Sequence, residues 1–225
     1  MSGNGIPASR VTVPSAAWAR YGANGWGGRR MARRKEGDKP GDLHRATVAE
    51  VVEVGSSAAS VNAIARRAGV AVGTIYRYHD SKEALLRAAY LSVKADIHAA
   101  MMAAAAEGAA PRARIEGMWH ALLNFVKAEP NAFLFAEVVM AGVGLDAAGR
   151  AEIEAMAAEA RGVLQAAMAE GALRPGDPRA VAAVLAGPVM QIARAAALSG
   201  APPDDAHVRE VFALCWRAVA TSATG

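Results

Sequence analysis

From Leu43 onward the apolar positions recur at spacings of three and four, and no stretch alternates apolar with polar residues as a half-buried strand would. Ala, Leu, Glu and Arg, all good helix formers, dominate the same region. The pattern predicts an all-α protein. Glycines and prolines punctuate it at Gly55, Gly69, Gly108 with Pro111, Pro130, Gly142 with Gly144, the loop 174–178, and Gly200 with Pro202 and Pro203. About nine helices follow, near 43–54, 61–68, 72–78, 82–106, 112–128, 131–141, 147–171, 178–199 and 205–221. The second and third are one to two turns long and marginal in isolation, so they must pack as a unit. Residues 1–41 are rich in Gly, Ser, Pro and Arg, lack either periodicity, and read as a disordered basic arm. Two folded parts remain: a head over 42–88 and a helical body over 89–225.

The segment from Ser60 to Leu86 carries the most local information. Ser60 is an N-cap residue before the apolar set Val61, Ile64, Ala65 and Ala68, which turns one face of a short helix inward. Gly69 stands where a left-handed residue ends that helix, and Val70 plugs the following turn, as in a helix-turn-helix. In the next helix Ile75 faces inward, leaving Val72, Gly73, Thr74, Tyr76, Arg77 and Tyr78 as candidates for the outer face. Two tyrosines and an arginine on a solvent-facing helix suit DNA: hydroxyls and guanidinium bond phosphates and base edges, and small Gly73 and Thr74 permit close approach. Asp80 or Ser81 caps a long helix that starts with Lys82, a side chain placed to meet a phosphate beside the helix N-terminus.

Charge distribution agrees with such a head. The first ninety residues carry 14 Lys/Arg against 7 Asp/Glu, the remainder 11 against 14. A basic part joined to a mildly acidic one fits a nucleic-acid-binding head on a non-binding body. Met31, before Ala32-Arg33-Arg34-Lys35, is an alternative start, in which case residues 1–30 do not belong to the natural protein. Otherwise Arg29, Arg30, Arg33, Arg34 and Lys35 are placed to follow the minor groove. Cys215 is the single cysteine, flanked by Leu214 and Trp216, which points to a reduced buried thiol in a cytoplasmic protein. Continuous apolar runs fall well short of the ~20 residues that span a bilayer, so neither a transmembrane helix nor membrane association is expected.

These motifs closely resemble the helix-turn-helix of the tetracycline-repressor (TetR/AcrR-like) family of bacterial regulators. The resemblance runs from Leu43 to Leu86: Ile-Ala-x-x-Ala-Gly-Val, then Gly-Thr-Ile-Tyr-x-Tyr, then Ser-Lys-Glu-x-Leu-Leu. It implies that Ser60, Tyr76, Tyr78 and Lys82 mainly grip phosphates, while Asn62, Val72, Gly73, Thr74 and Arg77 lie nearest the base edges. It further implies a homodimer on a near-palindromic operator in double-stranded DNA, repressing a nearby gene until a small effector tilts the fourth helix and releases it. Three positions depart from the family pattern: Glu50 falls near an expected apolar site, Ser56 replaces an aromatic, and His79 stands where phenylalanine is common.

The body offers candidates rather than motifs. Met118, Trp119, Leu122, Phe125, Phe133 and Met140 cluster on the fifth and sixth helices and suit the wall of a hydrophobic effector pocket, although ordinary core is the alternative. The last two helices are apolar over broad faces, so Leu185, Ile192, Val211, Phe212 and Trp216 are candidates for a dimer interface. Glu116 and His120 lie four apart with Glu137 as a third group, too few ligands for a metal or an acid–base site. No Gly-rich phosphate loop, nucleophile elbow or Cys/His cluster occurs, so neither an enzyme nor a cofactor is expected. The rival readings are a helical small-molecule-binding protein and a regulator that activates or needs no ligand.

Overall fold

The computed structural model describes residues 39–107, 110–139 and 144–221. They form nine α-helices: α1 (Lys39–Val54), α2 (Val61–Ala68), α3 (Val72–Tyr78), α4 (Lys82–Glu107), α5 (Pro111–Ala128), α6 (Pro130–Val139), α7 (Ala147–Ala169), α8 (Pro178–Ser199) and α9 (Asp205–Val219). The all-α reading holds, and the helices fall close to their expected places. Met140 and the arm residues Arg29, Arg30, Arg33, Arg34 and Lys35 lie outside the described residues. α1 starts earlier than the pattern indicates because Pro40 sits in its first turn, where a missing N–H costs nothing.

Two apolar clusters organise the chain. The smaller one, Leu43, Ala46, Ile64, Ala65, Ile75 and Leu85, holds α1, α2, α3 and the start of α4 together. The larger one fills the body and also takes in Val48 and Val51 of α1 and Leu86, Ala89 and Tyr90 of α4. Thus α1 has two working faces: residues 43 and 46 point to α2 and α3, residues 48 and 51 to the body. α6 and α4 both pack against α1, which ties the head directly to the body.

Within the body α4 and α5 make the most intimate pair. Gly117 makes it possible, since a Cβ there would lie 3.1 Å from the Ala104 carbonyl oxygen. α8 and α9 close the far side. Their inner residues, Leu185, Val189, Ala193 and Ala197 of α8 and Val208, Phe212, Cys215 and Val219 of α9, are buried at spacings of three and four. An isolated antiparallel bridge between Leu173 and Ala220 joins the α7–α8 turn to the segment after α9.

Candidate nucleic-acid interface

The head is assembled by local chemistry. Ser60 is extended at the N-cap of α2, and its hydroxyl accepts from the Ala63 N–H at 3.2 Å. At the other end Gly69 has φ 68°, and the Val70 N–H returns to the Ala65 carbonyl at 3.0 Å, which satisfies the helix end and turns the chain. Val70 and Val72 then both pack against the head cluster. Val72 is therefore half-buried and serves the core, whereas the sequence pattern left it among the outer-face candidates. Ile75 is buried, which fixes the rotation of α3.

That rotation exposes a defined set of groups. Tyr76 is 51% exposed and Tyr78 45%. Arg77 donates to the Tyr78 hydroxyl at 3.3 Å, and its guanidinium lies 5.1 Å from the centre of that ring. Gly73 is exposed, and a Cβ there would meet nothing within 4 Å, so the chain's own packing places no demand for a glycine. Asn62 and Ser60 are exposed on α2, and Thr74 is half-buried beside them on α3. Ser81, not Asp80, caps α4, with its hydroxyl accepting from the Ala84 N–H at 3.1 Å. Lys82 follows and donates to the Ser57 carbonyl at 3.2 Å, so one of its three ammonium protons already holds the α1–α2 connection.

Two of the departures from the family pattern find partners. Glu50 is 7% exposed on the head-facing side of α1, and Arg67 of α2 bonds it at 3.3 Å while also bonding Glu53. Burial pulls the Arg67 guanidinium toward a lower pKa, but the hydrogen bonds and charges of Glu53 and Glu50 outweigh it and hold the pKa above its usual value. His79 closes α3 through its N–H to the Ile75 carbonyl, and its half-buried ring lies 5.9 Å from that of His44 on α1. Burial pushes the His79 imidazole below its ordinary pKa, with Asp80 opposing. Neither pairing is visible in the sequence, because each partner lies on another helix. The acidic pair Glu50 and Glu53, followed by Arg66 and Arg67, is the one feature of the sequence that could suggest the first.

Candidates in the body separate by burial. Met118, Trp119, Leu122, Phe125 and Phe133 are all buried, Trp119 with its ring edge-on to Phe212 at 5.1 Å. Glu116 pairs with Arg112, and Glu137 with Arg194, so the two carboxylates and the exposed His120 are not brought together. Among the described residues no group of three or more His, Cys, Asp or Glu is placed to hold a metal ion.

The interface candidates divide as well. Leu185 and Phe212 are buried inside the single chain, Phe212 to 1%, and have no area left for a second copy. Ile192, Val211 and Trp216 are half-buried against the core, and Trp216 stacks on Phe212 with Arg112 over both rings. The large apolar side chains that remain exposed on α8 and α9 are Val184, Leu198 and Leu214. By length and composition α8 could also cross a membrane, and most of its apolar residues lie outside the core. Gln191 and Arg194 interrupt its apolar sequence, so no continuous run marks it.

Residues 43–89 match the family model described as bacterial regulatory proteins, tetR family, and residues 94–221 match that described as the tetracyclin repressor-like C-terminal domain. Among solved structures, a TetR family transcription regulator from Marinobacter aquaeolei VT8 is 26% identical and superposes with a TM-score of 0.72, over 82% of this chain and 96% of that one. A protein of unknown function from Rhodococcus sp. RHA1 is 24% identical, with a TM-score of 0.69, over 85% and 100%. A TetR-family transcriptional regulator from Haemophilus influenzae RD shares the fold at 18% identity, with a TM-score of 0.65, over 84% and 100%.

Proposed function

Because this chain belongs to the tetracycline-repressor family and is therefore a DNA-binding transcription regulator, we propose that it is a homodimeric repressor that reads a near-palindromic operator with α3 and leaves it when a small effector enters the helical body. The observation that carries the reading is the outer face of α3. Tyr76, Arg77 and Tyr78 stand exposed around a Gly73 that the fold itself does not require. An exposed tyrosine pair is costly in water alone, while against a duplex its hydroxyls find phosphates and the bare glycine admits a groove wall. Ser60 and Asn62 flank that face, and Lys82 keeps two ammonium protons for a phosphate beside the first turn of α4.

One seven-residue helix contacts few base pairs, so useful discrimination needs two linked heads. The exposed Val184, Leu198 and Leu214 of α8 and α9, together with half-buried Val211 and Trp216, support a second copy as their cover. That cover also accounts for the apolar length of α8 without a bilayer, in keeping with a cytoplasmic protein that acts on DNA. The buried Met118, Trp119, Leu122, Phe125 and Phe133 support an apolar effector site between α5 and α6, and α6 packs on α1 of the head. Selection of bound duplexes from a random pool tests the dimeric reading. Two inverted half-sites about one helical turn apart are expected, and a pool without dyad symmetry contradicts it.

A further inference from the structure

The body holds a polar convergence that DNA binding leaves unused. Tyr90 and Lys94 stand four apart on one face of α4, Glu137 comes from α6, and Arg194 of α8 bonds the Glu137 carboxylate. α6 packs against both α4 and α8, which brings the three helices together. Tyr90 is 2% exposed, and among the described residues neither its hydroxyl nor the Lys94 ammonium has a hydrogen bond or a salt bridge. Burial pushes the Lys94 pKa down against the pull of Glu137, and burial followed by the Glu137 charge pushes that of Tyr90 up. The hydroxyl of a tyrosine as buried as this one normally finds a partner, and even a half-buried ammonium gains from one.

Two cations against one carboxylate leave the set with a formal charge of +1. A monoanion neutralises it, whereas a dianion would leave negative charge in excess beside the Glu137 carboxylate. The neighbouring residues on the same helices, Val93, Phe133, Leu134 and Ala193, are buried members of the body's apolar cluster. We propose that Tyr90, Lys94, Glu137 and Arg194 form the polar end of the effector site, and that the effector is a monocarboxylate with an apolar body. Lys94 and the Tyr90 hydroxyl hold the carboxylate, and Arg194 is shared between it and Glu137. The inference rests on the reading of the body as an effector domain. α4 connects the site to the DNA face, since Lys94 lies twelve residues, about 18 Å, beyond Lys82 on the same helix. A network that merely stabilised the fold would have no use for a half-buried lysine without an ion pair, so replacing Lys94 separates the two roles.

The test is calorimetric titration of the full chain with the straight-chain monocarboxylates from butanoate to dodecanoate and with benzoate, each against the alcohol of the same skeleton. At least one acid is expected to bind about tenfold more tightly than its alcohol. Lys94→Met should erase that preference while leaving alcohol binding intact and the melting temperature unchanged or higher. Equal affinity for acid and alcohol in every pair, no binding of any acid, or a preference that survives Lys94→Met overturns the site. Operator binding in the presence of the bound acid is a separate arm. An acid that binds through Lys94 yet leaves the protein on its DNA upholds the site and removes the effector reading.

Discussion

Glu50 stands where the periodicity of α1 calls for an apolar side chain, and its burial is tolerated because Arg67 reaches it from α2. Arg67 is itself partly exposed and solvent screens the pair, so its removal should cost about 1–2 kcal/mol, chiefly from the carboxylate left behind. Arg67→Leu is therefore expected to lower the melting temperature by several degrees, whereas Glu50→Leu should be neutral or stabilising. Thermal melts of the two variants check this; equal losses would show that the pair, and not the stranded charge, matters. His79 gives a pH signature. Its folded pKa lies below the usual value of about 6.5, so as pH falls through that value the unfolded chain takes up a proton that the folded head resists. Stability should thus decline below about pH 6.5 and level off once pH passes the folded pKa. His79→Phe should flatten part of that decline in melts between pH 7.5 and 5, and an unchanged slope would assign it to other groups. Sequence showed both positions as misfits but not their remedies, since periodicity reports what a position wants and says nothing of a partner on another helix.

At the level of elements, the helices were legible because their breakers and caps act within a few residues. Ser60, Gly69 and Pro111 each do at their helix ends what their chemistry suggests. Gly69→Ala, forced to keep φ near +68°, should cost about 1 kcal/mol, read as a shift in the denaturation midpoint. What periodicity could not separate was which of two neighbouring apolar rows on α8 faces inward. The row through Leu185, Val189 and Ala193 is buried, while Val184, one residue away, is exposed. On a helix apolar nearly all round, a phase difference of one residue leaves no trace in composition. The shared role of α1 was equally hidden. Val48 and Val51 belong to the body's cluster, so a head cut out at residues 39–90 exposes them. Such a fragment should show little helical circular dichroism, and the full chain should melt in one transition. A fragment that folds alone would mean that the head is an independent domain.

At the scale of the whole molecule, charge placement separates the subunit core from the surface assigned to its partner. Leu214 is 53% exposed, so Leu214→Asp should fold normally, sediment as a monomer and lose specific operator binding. Phe212→Asp should fail to fold, because a carboxylate at a site 1% exposed between Trp119 and Trp216 costs about 4 kcal/mol or more. A folded dimer in the Leu214 variant would place the interface elsewhere. The central claim, that α3 reads sequence, is met most directly by one ratio: affinity for the selected duplex over affinity for a scrambled duplex of equal length, measured at one salt concentration for the natural chain and for Tyr76→Ala. The natural chain should prefer its site by about a thousandfold or more. Tyr76→Ala, whose side chain is half out of the fold, should keep the helical signal and the melting temperature while that ratio collapses toward one. A Tyr76→Ala protein that still distinguishes the two duplexes as the natural chain does would contradict the account.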